Sequence, residues 1–134
     1  MSTCVLDTDV VIAALDRSDG HHKDAARAFK RMAEGETVLL LSTVNYAESL
    51  VRPAESEETL RAAVEAITAL RIRTVAPDAA MARTAARNRG LGISLADGFA
   101  LATATAHGAT VASFDRRVRR ALRPAGLRLD RALK

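Results

Sequence analysis

The chain has 134 residues, 49% hydrophobic and 27% charged, a composition that is globular, not disordered, and suits one domain with a single core. Aromatic residues make up only 3%, so the core must be built from Ala, Val, Leu and Ile, and aromatic platforms for base stacking are not expected. The net charge is +4, and arginine outnumbers lysine 17 to 3. A guanidinium fork suits phosphate, although an Ala- and Arg-rich chain is equally the product of GC-rich coding.

Cys4, the single cysteine, cannot close an internal disulfide and lies in an apolar run, which points to a buried thiol and a reducing, cytoplasmic setting. The sequence shows no basic-then-apolar leader. It also has no apolar segment near the ~20 residues that cross a bilayer, so no membrane partner is expected.

Residues 3–6 read as a short buried strand, and 8–15 as a helix started by Asp7 or Thr8. Arg17 to Gly20 is a turn. Ala25, Ala28, Phe29 and Met32 recur at helical spacing between His21 and Glu34, and Gly35 stops that helix. Thr37 to Leu41 is a continuous apolar run, the mark of a strand covered on both faces. Ser42 or Thr43 then caps a helix over 44–51, which Pro53 ends. A further amphipathic helix spans 55–70, a strand or extended link spans 72–75, and Pro77 opens a helix running to Arg89. Residues 90–93 form a loop. Ser94 starts an alanine-rich helix closed by His107 and Gly108. A strand at 109–112, a helix at 115–122 and a last strand at 126–129 complete the chain. Short apolar strands alternating with helices imply one α/β domain over 1–134, with a mainly parallel sheet and helices on both faces.

Four acids stand where this pattern does not require them. Asp7 follows the first strand, Asp97 follows Ser94 by three residues, and Asp115 follows the strand at 109–112. Each has a structural explanation as a helix cap or capping-box member. Glu48 falls on the same helical stripe as Val44, Ala47 and Val51, so it is either a rim residue or a paired carboxylate. What separate caps do not explain is their common destination. In a parallel sheet the C-terminal strand ends lie along one edge, where ligands bind. Carboxylates gathered there raise each other's pKa values unless a cation holds them. All-oxygen ligands suit Mg²⁺ or Mn²⁺, and no Cys or His cluster favours zinc. The chemistry that follows is metal-assisted attack of water on a phosphodiester. Beyond Asp115, Arg116, Arg119, Arg120 and Arg123 share a helical face opposite Val118, Ala121 and Leu122. That face is a candidate RNA-backbone track, or simply the solvated side of an amphipathic helix.

Taken in order, Val5-Leu6-Asp7-Thr8-Asp9, Ser42-Thr43-Val44-Asn45-Tyr46-Ala47-Glu48, Ile93-Ser94-Leu95-Ala96-Asp97-Gly98 and Val111-Ala112-Ser113-Phe114-Asp115 resemble the PIN-domain family, within it the VapC-type toxins of bacterial toxin–antitoxin pairs. The resemblance covers essentially the whole chain. It implies an about five-stranded, mostly parallel sheet and a Mg²⁺- or Mn²⁺-dependent endoribonuclease in which Asp7, Glu48, Asp97 and Asp115 form the acidic quartet. It further implies that Ser113 orients the site, that Asp9 is a supporting residue, and that the protein forms a homodimer silenced by a cognate VapB-type antitoxin.

Two rival readings exist. Leu6-Asp7-Thr8-Asp9-Val10 also resembles the opening of haloacid-dehalogenase-like phosphatases, with Asp7 as nucleophile and Asp9 as general acid. That reading needs a later helix lysine or arginine and a downstream acidic pair, and it leaves Glu48 unexplained. The other rival is a degenerate PIN module that binds RNA or assembles without cutting, which gains nothing from clustered carboxylates.

Overall fold

The computed structural model describes residues 2–134. Four short strands, β1 (Thr3–Leu6), β2 (Val38–Ser42), β3 (Ile72–Val75) and β4 (Thr110–Ala112), pair in parallel in the order β3-β2-β1-β4. After β1 the chain extends the sheet on one side through β2 and β3, then returns to add β4 on the other side of β1. This reversal makes the C-terminal ends of β1 and β4 the switch point at which a crevice opens. Asp7 continues the ladder there, its backbone N–H donating to the Ala112 carbonyl at 2.9 Å.

Alternation along the strands divides the core into two layers. Cys4, Leu6, Leu39, Leu41, Ile72 and Ala112 face one side. There they meet Val10 and Val11 of α1 (Thr8–Leu15), Ala28, Phe29 and Met32 of α2 (His22–Glu34), and Ile67 of α4 (Glu57–Ala69). Val5, Leu40 and Val111 face the other, against Ala100, Leu101 and Ala104 of α6 (Leu95–His107) and Val118, Ala121 and Leu122 of α7 (Arg116–Leu122). Both sides of the sheet are thus covered, as the unbroken apolar run of β2 requires. Burial raises the Cys4 thiol far above its ordinary range, with the nearby Asp130 charge acting in the same direction, so it is a packing group.

Against α6 packs α5 (Ala79–Asn88), bringing Met81 and Ala85 onto Ala102. Gly98 is required at this crossing, because a Cβ there would stand 2.7 Å from the Ala85 carbonyl oxygen. Gly98→Ala is expected to lower the unfolding free energy by roughly 1–3 kcal/mol through helix displacement, read as a lower denaturant midpoint with an unchanged slope. An unchanged midpoint would show that the crossing has slack.

Most elements fall where the sequence places them, with three departures. The helix after Pro77 starts at Ala79, because Asp78 caps it by accepting from the Met81 N–H at 2.8 Å. The expected strand at 126–129 contributes only a single parallel bridge, Val111 to Leu129, so the sheet has four strands. Two hydrogen bonds flank that bridge, from the Val111 N–H to the Arg128 carbonyl and from the Asp130 N–H to the Val111 carbonyl. Asp130 then ends the extension by capping a 3₁₀ turn at Arg131–Leu133. Finally, α3 (Thr43–Leu50) buries Asn45 and Ser49, whereas Ala47, Glu48 and Val51 are exposed; the apolar stripe expected of it does not face the core. No helix among the described residues is long and apolar enough to cross a membrane.

Candidate active site

Helices that follow parallel strands begin at the strands' C-terminal edge, so their N-caps collect there, where the positive ends of the helix dipoles favour carboxylates. Asp7 caps α1, accepting from the Thr8 N–H at 2.9 Å through Oδ1. Asp115 caps α7, its Oδ1 accepting from the Arg117 and Val118 N–H groups at 2.7 and 3.2 Å. Asp97 occupies the third position of α6 in a capping box. Its Oδ2 accepts from the Ser94 N–H at 3.4 Å while its own N–H donates to Ser94 Oγ at 3.1 Å. Capping and gathering at one edge are therefore the same event.

Asp7 is the centre. It is 2% exposed, and Ser113 Oγ donates to its Oδ2 at 2.7 Å while accepting from the Asp115 N–H at 3.1 Å. Burial, reinforced by the charges of Asp9 and Asp97, pushes the Asp7 carboxyl up to about 7 despite the Ser113 and Thr8 hydrogen bonds. Asp9, reached one helical residue further on, accepts from the Phe114 N–H at 3.0 Å through Oδ2, and its Oδ1 is buried without a hydrogen-bond partner. Burial and the Asp115 charge raise it to about 6. Asp97 is raised first by burial and then by Asp115 and Glu48, against the opposing pull of its Ser94 bonds. These mutual influences tie Asp7, Asp9, Glu48, Asp97 and Asp115 into one electrostatic cluster built from the ends of β1, β2 and β4 and the start of α6.

Glu48 joins from the solvent side, held by two residues to which apolar periodicity gives no signal. Thr8 Oγ1 donates to Glu48 Oε1 at 2.6 Å, and Asn45 Nδ2 donates to Thr8 Oγ1 at 3.1 Å and to Glu48 Oε1 at 3.5 Å. The same amide donates to the Ala96 carbonyl at 3.2 Å, one residue before Asp97, so it links α1, α3 and α6. Asn45 is fully buried, and its Oδ1 has no partner. A buried polar residue holding an exposed acid is a signal that hydrophobic pattern reading passes over.

Asn45→Ala is expected to cost roughly 1–3 kcal/mol of stability by removing the buried amide's bonds to Thr8 and to the Ala96 carbonyl. It should also reduce any reaction at this site by about 10–100-fold, the effect of releasing a ligand-orienting contact. Melting temperature and turnover measured together check this; lost stability with full turnover would leave Asn45 a packing residue only.

Among the described residues, no three Asp, Glu, His or Cys side chains converge as a ready-made cation cage. The sequence expects the quartet at a metal site; the fold brings the acids to one edge without closing them on a point. Mg²⁺ retains several waters and needs few protein ligands. The all-oxygen donors, the raised carboxyls and the orphaned Asp9 oxygen fit such an ion.

The arginines of α7 do not act as one face. Arg119 is half-buried, its Nε donating to the Ser113 carbonyl at 2.7 Å, which braces the residue that holds Asp7. Arg116 and Arg119 line a groove against α2, whereas Arg120, donating to the Arg116 carbonyl at 3.4 Å, and Arg123 stay exposed outside it.

Solved structures similar to this one include three toxin–antitoxin proteins. VapBC2 from Rickettsia felis, bound to a promoter DNA fragment, matches with a TM-score of 0.74 and 18% identity over 96% of this chain and 97% of that one. VapBC-1 from nontypeable Haemophilus influenzae matches with a TM-score of 0.72 and 17% identity over 98% of this chain and 99% of that one. VapC20 from Mycobacterium tuberculosis, a sarcin–ricin-loop-cleaving toxin, matches with a TM-score of 0.66 and 18% identity over 84% and 89%. No protein of curated function matches the sequence significantly. A profile of the PIN domain, by contrast, matches residues 4–123, from the first buried strand through the last arginine-bearing helix. That span takes in every acid of the cluster, and the chain belongs to the PIN-domain family.

Proposed function

We propose that this protein is a metal-dependent endoribonuclease, the toxin of a VapBC-type toxin–antitoxin pair. The observation that carries the reading is the five-carboxylate cluster at the switch point, three of whose members are raised above their ordinary range. Helix capping accounts for single carboxylates at this edge but not for raising several of them together; a cluster of that kind suits a cation and a phosphodiester. Asp7 and Asp97, with Glu48 and Asp115 beside them, would hold Mg²⁺ or Mn²⁺. Bound there, the ion polarises the scissile phosphate and makes an attacking water acidic.

The chain's own residues supply orientation. Ser113 fixes Asp7 Oδ2, and Arg119 fixes Ser113. Thr8 and Asn45 fix Glu48 Oε1, and the Ser94 box fixes Asp97. The Phe114 N–H fixes Asp9 Oδ2, leaving its buried second oxygen without a hydrogen-bond partner. Cluster and fold together favour a cutting enzyme over a scaffold, and the family leaves the phosphatase reading without support. The partners that follow are an RNA substrate, a second copy of the chain and a VapB-type antitoxin, the last of them supported by likeness to VapBC assemblies.

The test is a panel of single-stranded and stem-loop RNAs beside a small phosphomonoester, each with Mg²⁺. Discrete RNA fragments and an intact monoester are expected. Monoester hydrolysis lost in Asp9→Asn, with RNA untouched, would overturn the ribonuclease.

A further inference from the structure

On the flank of the cluster, α2 and α7 enclose a groove of about 390 Å³. Arg27 and Arg31 line it from α2, Arg116 and Arg119 from α7, and Lys134 lines it from the C-terminal segment. Against these five cations stands one acidic side chain, Asp24, 3.8 Å from Arg27. The His21 and Phe114 rings also line it and lie stacked, their centroids 4.4 Å apart and their planes within 6°.

The groove is continuous with the acids. Phe114 carries the N–H that holds Asp9, Arg116 directly follows Asp115, and Arg119 braces Ser113. A chain lying in it therefore enters the cluster at Asp9 and Asp115. Scarce aromatics argued against base stacking, but a histidine supplies the second ring of this platform. His21 is exposed and makes no side-chain cap bond to α2, so its outer face is available.

We infer that the α2–α7 groove is the seat of a single-stranded RNA segment flanking the cut phosphate, with backbone phosphates on Arg27, Arg31 and Arg116 and one base stacked on His21. The inference rests on the ribonuclease reading and relocates the phosphate track, which would otherwise follow the outer face of α7 through Arg120 and Arg123. A phosphate chain is favoured over an acidic peptide because cationic forks beside a planar platform match alternating phosphates and bases.

The test measures binding of a ten-nucleotide single-stranded RNA carrying 2-aminopurine, over a salt series, in protein bearing Asp97→Asn to prevent cleavage. Adding Arg27→Ala and Arg31→Ala is expected to weaken binding about tenfold and to lower the slope of log K against log salt by about 1.4, or 0.7 for each lost single-strand phosphate contact. Arg83→Ala with Arg87→Ala, exposed on α5 away from the groove, should leave both unchanged. His21→Ala should abolish the fluorescence quenching of the stacked base and weaken binding roughly tenfold. An unchanged slope and affinity in the α2 double variant, while the parent chain still cleaves RNA, would overturn the groove and leave the ribonuclease standing. A parent chain that neither binds nor cleaves RNA would overturn both. If a polyglutamate peptide loses binding to the double variant while RNA does not, the groove is a protein-docking surface and the inference fails.

Discussion

Asp7→Asn is expected to lower RNA cleavage by about 10³-fold while making the metal-free protein more stable at neutral pH. The loss follows from removing an anion from the cluster centre, where about 4 kcal/mol of charge stabilisation corresponds to that factor. The gain follows from linkage. The folded Asp7 carboxyl titrates at about 7, raised mainly by burial, whereas in the unfolded chain it titrates at 3.8. Between about pH 4 and 7 the folded chain therefore holds a proton that the unfolded chain has released, and stability falls as pH rises through that window. Asparagine keeps the shape and the capping oxygen and carries no charge, so the variant escapes the fall. At pH 7.5 the difference should reach roughly 2–4 kcal/mol, or roughly 5–15 °C in melting temperature, and it should vanish near pH 4. Mg²⁺ favours the ionised form, so it should stabilise the parent chain increasingly with pH over the same window and act weakly on the variant. Thermal melts from pH 4 to 8, with and without Mg²⁺, check each part. Equal melting of both proteins at pH 7.5 would mean that Asp7 bears no strain.

Asp97→Asn should lose cleavage to a similar degree, about 10³-fold, but with a different stability signature. Asp97 is half-buried; its Oδ2 accepts from the Ser94 N–H, which an amide oxygen can also do, and its backbone N–H donates to Ser94 Oγ whatever the side chain. The capping box survives in outline, and the stability change should stay within about 1 kcal/mol. Loss of cleavage with near-native melting would place Asp97 in the chemistry. Loss of both together would return it to its capping role.

That dual role explains how much the sequence discloses. Asp7, Asp97 and Asp115 each invite a cap or a site, and the fold makes both true, because helix N-termini and strand C-termini share one edge. Strand spacing places Asp7 and Asp115 without knowledge of any contact, and the Ser94 capping box places Asp97 at the start of α6. The parallel sheet with two covered faces is equally legible, since β2 is an unbroken apolar run. Glu48 is different. Its expected apolar stripe turns outward, and α3 instead buries Asn45 and Ser49, the latter donating to the Asn45 carbonyl at 2.8 Å. Hydrophobic periodicity has no means of marking a helix whose inner face is polar. Leu129 fails for another reason: its segment reads as a strand, but Asp130 bends the chain after one bridge. The arginines divide for a third, because only tertiary structure reveals that Arg119 bonds a carbonyl and that α2 supplies the opposite wall.

The most direct measurement of the central claim is cleavage of a single-stranded RNA by the purified protein in Mg²⁺, in chelator, and in chelator with Mg²⁺ restored. Cleavage in Mg²⁺, its loss in chelator and its recovery on restoration are expected, with Asp97→Asn inactive throughout. Cleavage that persists in chelator and in Asp97→Asn would contradict a carboxylate-held metal as the source of activity.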